Sequence, residues 1–274
     1  MDDQTRAELA ERAAAAGATV AADAFRTAVE VETKADAEPV TQVDRDAQRR
    51  VTEVIREECP DETVVGEEGD APKSIPDGEP AWVVDPIDGT KNFARGSRTW
   101  GTSVAAVTPD GVAGAANVFP ALDDAYVVGG KAPDSESAGP RRNGESISVS
   151  DLSTPEKALV GPLMLWRRDR RDEFATALGE TARRFDDVRR VGSAQAMLSR
   201  IAAGEIDGTF TNLSPPPWDT VAGVALVRAA GGRVTNLDGD RWSPGDRGLV
   251  ASNGEIHDAL RHAAAELPPG AAEE

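Results

Sequence analysis

The chain is 274 residues long, enough to bury a sizeable core in one large domain or two closely packed ones, and its 48 acidic against 30 basic side chains give a formal charge of −18. A balance this acidic argues against a nucleic-acid backbone or an anionic membrane as the main partner. Only five of the thirty basic residues are lysines, which leaves twenty-five arginines. With the scarce aromatics and plentiful alanines this composition favours a halophilic protein whose carboxylates hold a shell of water and cations, with a merely acidic, GC-biased mesophilic protein as the plainer alternative.

In chain order, an alanine-rich helix is expected over about 3–29 and a second over 44–58, where Ala47, Val51, Val54, Ile55 and Cys59 share one face. Short β-type runs follow at 62–65, 81–84, 102–108, 112–119 and 125–128, punctuated by glycine and proline. The polar stretch 132–144 reads as a surface loop. From about 150 the pattern alternates between strands at 158–161, 188–191 and 208–212 and helices at 172–182, 193–203 and 219–230. The last of these helices stops at Gly231-Gly232. Strands at 233–236 and 249–252, a helix at 256–265 and a disordered tail over 267–274 complete the chain. The expected fold is α/β in layered halves, 1–150 and 151–266.

The sharpest local feature is Trp82-Val83-Val84-Asp85-Pro86-Ile87-Asp88-Gly89-Thr90. An apolar strand delivers two aspartates close together, which repel unless a cation lies between them. Hard oxygen ligands select Mg²⁺ or Mn²⁺ over zinc. Gly89 and Thr90 open a short helix whose backbone N–H groups suit a phosphate; an Asx-type turn capped by Asp88 is the plainer alternative. Val64-Val65-Gly66-Glu67-Glu68 tips another apolar run with acids, and Pro217-Trp218-Asp219 places an aspartate ahead of an apolar helix, where N-capping alone would also explain it. Three carboxylate-tipped ends together make a plausible two-metal cage for in-line phosphoryl displacement.

Gly66-Glu67-Glu68, Asp85-Pro86-Ile87-Asp88-Gly89-Thr90 and Trp218-Asp219 resemble the three signature motifs of the inositol monophosphatase family, whose superfamily includes fructose-1,6-bisphosphatases and 3′-phosphoadenosine nucleotidases. Further similarity lies in Pro39-Val40-Thr41-Gln42-Val43-Asp44, Arg142-Asn143-Gly144-Glu145, Arg190-Val191-Gly192-Ser193-Ala194 and Ala229-Ala230-Gly231-Gly232, so the motifs span about 34–253. The resemblance implies an α-β-α-β-α sandwich, two or three Mg²⁺ ions per site and a homodimer acting on a small phosphomonoester. It implies that Glu67, Asp85 and the Ile87 carbonyl hold one metal and that Asp85, Asp88 and Asp219 hold a second. Glu68 supports the site from behind, and Lys34 lies near a substrate- or metal-proximal lysine of the family. Thr90, hydrogen-bonded to Asp44, positions and deprotonates the attacking water, although Thr41-x-x-Asp44 also fits a capping box. Asp88, Gly89, Thr90, Ser193, Asn212 and Asp219 are the implied substrate contacts. Asn212 stands where inositol-binding members commonly have a carboxylate, which leaves fructose 1,6-bisphosphate and 3′-phosphoadenosine nucleotides as candidate substrates beside inositol phosphates.

The other chemistries find little support. One cysteine, Cys59, permits no internal disulfide, and with two histidines a closed zinc site is excluded. Gly101-Thr102-Ser103-Val104-Ala105 lacks the closing glycine of a nucleophile elbow, and Gly129-Gly130-Lys131-Ala132 lacks the spacing of a P-loop. His257 and His262 read as surface helix residues. Arg167, Arg168, Arg189 and Arg190 have two readings, a second phosphate site or salt bridges to surface acids. With no secretory or membrane-spanning segment, a cytoplasmic enzyme is expected, with a non-catalytic metal or sugar-phosphate binder as the alternative.

Overall fold

The computed structural model describes residues 1–27, 31–33, 39–129 and 139–268. The elements run α1 (Asp3–Ala24), β1 (Val31–Thr33), β2 (Pro39–Thr41), α2 (Gln42–Glu58), β3 (Thr63–Gly66), β4 (Ala81–Asp88), α3 (Thr90–Ala94), β5 (Gly101–Thr108), β6 (Gly111–Phe119), β7 (Asp124–Gly129), β8 (Arg141–Arg142) and β9 (Glu145–Ser146). Then come β10 (Leu159–Pro162), α4 (Arg171–Arg184), β11 (Asp187–Val188), α5 (Ala194–Ala202), β12 (Gly208–Thr211), α6 (Val221–Ala229), β13 (Arg233–Thr235), β14 (Leu249–Ser252) and α7 (His257–Ala265). Seven strands pair in the order β3-β4-β5-β6-β7-β8-β9 and five in the order β11-β10-β12-β14-β13, while β1 pairs with β2.

Period-two alternation sorts the side chains of both sheets into layers. Trp82, Val84, Val104, Ala106 and Val127 face α1 and α2, meeting Leu9, Ala13, Val51 and Ile55. Val83, Ala105, Ala115 and Tyr126, on the opposite face, meet Met197, Leu198 and Ile201 of α5 and Val224 and Val227 of α6. Leu249 and Ala251 close that middle layer from the second sheet, whose outer face sends Val160, Phe210 and Val250 against Ala177 of α4 and Leu260 and Ala263 of α7. The result is the expected α-β-α-β-α sandwich, and each fully buried aliphatic or aromatic side chain contributes about 1.5–3 kcal/mol.

The alanines of α1 have a packing role as well as a compositional one. Ala7, Ala10, Ala13, Ala14, Ala18 and Ala21 are all buried, and a Cβ on Gly114 of β6 would stand 2.5 Å from the Ala7 Cα. Small residues on both sides bring helix and sheet backbones together. Other expectations shift. The first helix ends at Ala24, earlier than expected. The described part of the supposed surface loop, 139–144, contains β8 and the turn that pairs it with β9, at Asn143 and Gly144, both at positive φ. The strand expected at 188–191 narrows to Asp187–Val188. Two residues expected in a disordered tail are ordered instead, with Leu267 buried in the outer core and the Pro268 carbonyl accepting a hydrogen bond from Asn212 Nδ2 at 3.0 Å. Residues 269–274 lie outside the described residues. Among the described residues, no helix is long and apolar enough to cross a membrane.

Candidate active site

In a regular strand, residues three apart point to opposite faces. Asp85 pairs with Ser103 of β5 and Asp88 with Gly101, three steps along β4 against two along β5. The extra residue is a bulge, and it brings both carboxylates to one side. The strand therefore runs through Asp-Pro-Ile-Asp instead of ending at Asp85. Pro86 has no N–H for the ladder to lose, and its carbonyl accepts from Thr102 Oγ1 at 2.8 Å. Gly89 then turns the chain at φ +89°, where a Cβ would stand 3.0 Å from the Thr99 carbonyl oxygen and 3.1 Å from the Ser193 Cβ. Only glycine fits there, and α3 starts at once.

Asp219 arrives from the other half of the molecule, on the 3₁₀ turn Pro217–Asp219 ahead of α6. One oxygen from each of Asp85, Asp88 and Asp219 lies within 4.8 Å of the others. Asp85 and Asp88 are buried, and Asp85 Oδ1 has no hydrogen-bond partner among the described residues. Burial pushes the Asp85 carboxyl well above the usual range, and the charges of Glu67, Asp88, Asp219 and Asp44 push it further. Burial also raises Asp88, to about 6, against the hydrogen bonds that hold it down. A buried, unsatisfied carboxylate oxygen among other carboxylates is unfavourable alone and suits a hard divalent cation.

The bonds to Asp88 come from the N-terminus of α5. Ser193 Oγ donates to Asp88 Oδ2, the Ala194 N–H to Oδ1 at 3.0 Å and the Gln195 N–H to Oδ2 at 2.9 Å. The helix dipole favours an anion at this end. Ser193, expected as a substrate contact, lines the cavity but commits its hydroxyl to Asp88 while also capping α5 by accepting from the Ala196 N–H. Thr90 Oγ1 donates to the Ile87 carbonyl at 3.0 Å and lies 3.4 Å from Asp44 Oδ1, with Asp44 buried in the first turn of α2. The expected Thr90–Asp44 pair is thus in place, as the longer of two contacts.

Glu67 and buried Glu68 follow β3, and α2 fixes their backbone. Gln48 Nε2 donates to the Glu68 carbonyl and Gln48 Oε1 accepts from the Glu68 N–H, both at 2.8 Å. Lys73 Nζ donates to the Gly66 and Glu67 carbonyls at 2.9 Å and lies 5.6 Å from the Trp218 ring centre, which ties this loop to the turn carrying Asp219. Glu67, Asp85, Ile87, Asp88, Gly89, Thr90, Ser193 and Asp219 all line one cavity of about 570 Å³.

Not every expected residue joins them. Asn212 is absent from the lining and is corrected to a structural role. It is buried, its Oδ1 accepts from Trp166 Nε1 at 2.7 Å, and its Nδ2 donates to Glu173 Oε2 at 2.6 Å and to the Pro268 carbonyl. Lys34 lies outside the described residues. Of the four arginines, only Arg190 lines the cavity, while Arg189 pairs with Asp187 and Arg167 lies 3.7 Å from Asp169. His257, expected on the surface, is fully buried, whereas His262 is exposed.

Sequence reasoning missed two amides, one buried and one half-buried. Gln195 Nε2 donates to the Trp218 carbonyl at 2.6 Å, while its Oε1 accepts from the Gly223 N–H at 2.8 Å and from Asn117 Nδ2 at 3.0 Å. One side chain thereby joins β6, α5 and the turn bearing Asp219. Asn92 Nδ2 donates to the Thr99, Val191 and Gly192 carbonyls at 2.7, 3.1 and 3.2 Å, binding α3 to the segment ahead of α5. The signal for Gln195 was a lone amide at the start of the otherwise apolar stretch Ala194-Gln195-Ala196-Met197-Leu198.

Residues 2–268 match the sequence profile of the inositol monophosphatase family. The chain belongs to that family. As a member it is a phosphatase that hydrolyses phosphomonoesters and depends on a divalent metal, and the acid cluster offers a fitting place for one. The chain is 34% identical over 221 residues to a fructose-1,6-bisphosphatase/inositol-1-monophosphatase of Thermotoga maritima, covering 81% of this chain and 80% of the relative. It is 32% identical to an inositol-1-monophosphatase of Rhizobium meliloti, with 85% of each covered, and 30% identical to a protein of Pseudomonas aeruginosa named Nus factor SuhB, covering 81% of this chain and 80% of that protein. Among solved structures, an IMPase of Thermotoga maritima superposes with a TM-score of 0.85 at 28% identity, covering 96% of this chain and 98% of that one. The inositol monophosphatase of Anabaena gives 0.80 at 29% identity, with 97% of each covered.

Proposed function

We propose that this family member is a Mg²⁺-dependent phosphatase that hydrolyses a small phosphomonoester, either inositol monophosphate-like or fructose 1,6-bisphosphate, with water as the nucleophile. The observation that carries this reading is the meeting of three carboxylates within 4.8 Å, with Asp85 Oδ1 buried and unsatisfied. Glu67, Asp85 and the Ile87 carbonyl would hold one ion and Asp85, Asp88 and Asp219 a second, in a donor set that also accepts Mn²⁺. When bound, such ions supply Lewis acidity to water, phosphoryl group and leaving oxygen. The protein's own part is positioning. Thr90 orients the attacking water and passes its proton toward Asp44, Glu67 holds that water's other side, and Glu68 buttresses Glu67. The backbone N–H groups of Gly89 and Thr90 face the phosphate oxygens. A homodimer in the cytoplasm belongs to the same reading, and light scattering checks the assembly.

One observation favours the bisphosphate among the substrates. Arg190 lines the cavity and makes no ion pair among the described residues, and its guanidinium shares the Phe174 ring with that of Arg171, at 5.9 and 5.8 Å. Unneutralised guanidinium groups there suit a second anionic group on the substrate.

The test is phosphate release with Mg²⁺ in KCl across inositol monophosphates, fructose 1,6-bisphosphate and 3′-phosphoadenosine 5′-phosphate. Release from the last alone selects a 3′(2′),5′-bisphosphate nucleotidase, and release from none selects a binding protein. Asp85→Asn should lower turnover by roughly 1,000-fold or more while leaving the fold intact. Undiminished turnover in that variant overturns the assignment.

A further inference from the structure

A second cavity, of about 420 Å³, lies along one face of α6 and shares no lining residue with the first. It is lined by Val221, Val224, Ala225 and Arg228 of that helix, by residues 110–114 at the start of β6, and by Arg241 and Trp242. Its volume is that of a small-molecule site. Among the described residues, two arginines on its lining have no counter-charge and one indole N–H has no acceptor. Trp242 is 2% exposed, and its Nε1–H is buried with no acceptor among the described residues. Neither Arg228 nor Arg241 makes an ion pair among the described residues, although acids outnumber bases in this chain and Arg6, Arg142, Arg170 and Arg184 all find a glutamate. Arg228 donates from Nη2 to the carbonyls of Trp242 and Val234, at 2.7 and 3.5 Å, which leaves its charge uncompensated. Burial, and then the positive charge of Arg241, push the Arg228 guanidinium down to about 10. Asp110 is the acid on this lining; it is exposed and pairs with neither arginine.

We infer that this second cavity binds a small organic anion with an apolar body, distinct from the phosphatase substrate. The body lies against Ile75, Val107, Val224 and Ala225, the anionic group takes the two guanidinium groups, and an acceptor on the ligand meets the Trp242 indole. Guanidinium forks hold carboxylate, sulfonate or phosphate oxygens in pairs, and an apolar wall with a few convergent polar groups sets orientation. The inference rests on this cavity alone and stands whether or not the proposed substrate reading holds.

Two fluorescent probes of similar shape separate the contributions: 8-anilinonaphthalene-1-sulfonate, which carries the anion, and N-phenyl-1-naphthylamine, which does not. The full-length folded protein should bind the sulfonate at one saturable site. Arg241→Gln, an exposed change that spares the fold, should weaken sulfonate binding by about tenfold and leave the uncharged probe unchanged. Ala225→Trp, which fills the cavity, should abolish both, and circular dichroism confirms that the variant is folded. Phosphate release by Arg241→Gln should equal that of the parent. The inference is overturned if the parent binds no sulfonate at a saturable site, if Arg241→Gln weakens both probes alike or neither, or if folded Ala225→Trp still binds the sulfonate.

Discussion

Asp85 and His257 are both buried ionisable side chains, and their surroundings give them opposite meanings. Asp85 faces other carboxylates and keeps one oxygen unsatisfied, so its cost in the metal-free protein is large. Removing that charge should raise the unfolding midpoint of the metal-free protein in Asp85→Asn even as turnover is lost, and chelator-treated samples in a thermal scan check this. His257 is satisfied on both nitrogens, with Nε2 3.0 Å from Thr235 Oγ1 and Nδ1 2.8 Å from Ser252 Oγ, and burial pushes its pKa down to about 4. The native state therefore takes up the proton less readily than the unfolded chain. Stability is complete above about pH 6.5 and declines as the pH falls toward 4. Urea titrations should show His257→Gln losing less stability than the parent, by about 1 kcal/mol per pH unit between pH 6 and 5. Equal slopes would mean that His257 is protonated in the native state. In the sequence this residue looked like surface, because a histidine at the start of a short amphipathic helix carries no sign of the hydroxyls that two distant strands bring to it.

The bulged strand β4 and helix α5 together make the acid cluster usable. The bulge turns Asp88 to the side of Asp85, and α5 grips it through Ser193 and two backbone N–H groups. Ser193→Ala removes both the cap and the Asp88 bond. It should cost about 1 kcal/mol of stability and weaken metal binding by roughly tenfold, read by urea unfolding and by calorimetric Mg²⁺ titration. A loss of stability with unchanged metal affinity would limit Ser193 to capping. Strands and helices of ordinary length were legible in the sequence because alternation and helical spacing repeat often enough to register. The β8–β9 hairpin was not, since strands of two residues hold a single period of the signal and cannot show a repeat. The acids of the site were legible for a related reason: each ends an apolar run, and charge after such a run stands out. Gln195, Asn92 and the engaged Asn212 were hidden because such amides are defined by partners far away in the chain, which no local pattern encodes.

For the whole molecule, the layers follow from where apolar residues alternate, and the charge follows from what covers them. At −18, mutual repulsion among surface acids opposes the folded state, and salt screens it. Raising KCl from 0.1 to 2 M should increase stability by about 2 kcal/mol, or roughly 5 °C in the midpoint. A flat or falling midpoint would show that the surface Arg–Glu pairs, which salt weakens, outweigh the repulsion. The same global view bears on how the catalytic centre is made. Asp85 and Asp88 belong to the first sheet and Glu67 directly follows its strand β3, whereas Ser193 and Asp219 come from the later half of the chain. During synthesis the ribosome releases the first group long before the second, so a nascent chain carries β4 with its acids ungripped. The triad closes only when Asp219 has emerged and α6 has docked. A chain cut short before Asp219 would lack the third carboxylate, and with it, on the proposed reading, a complete ion site.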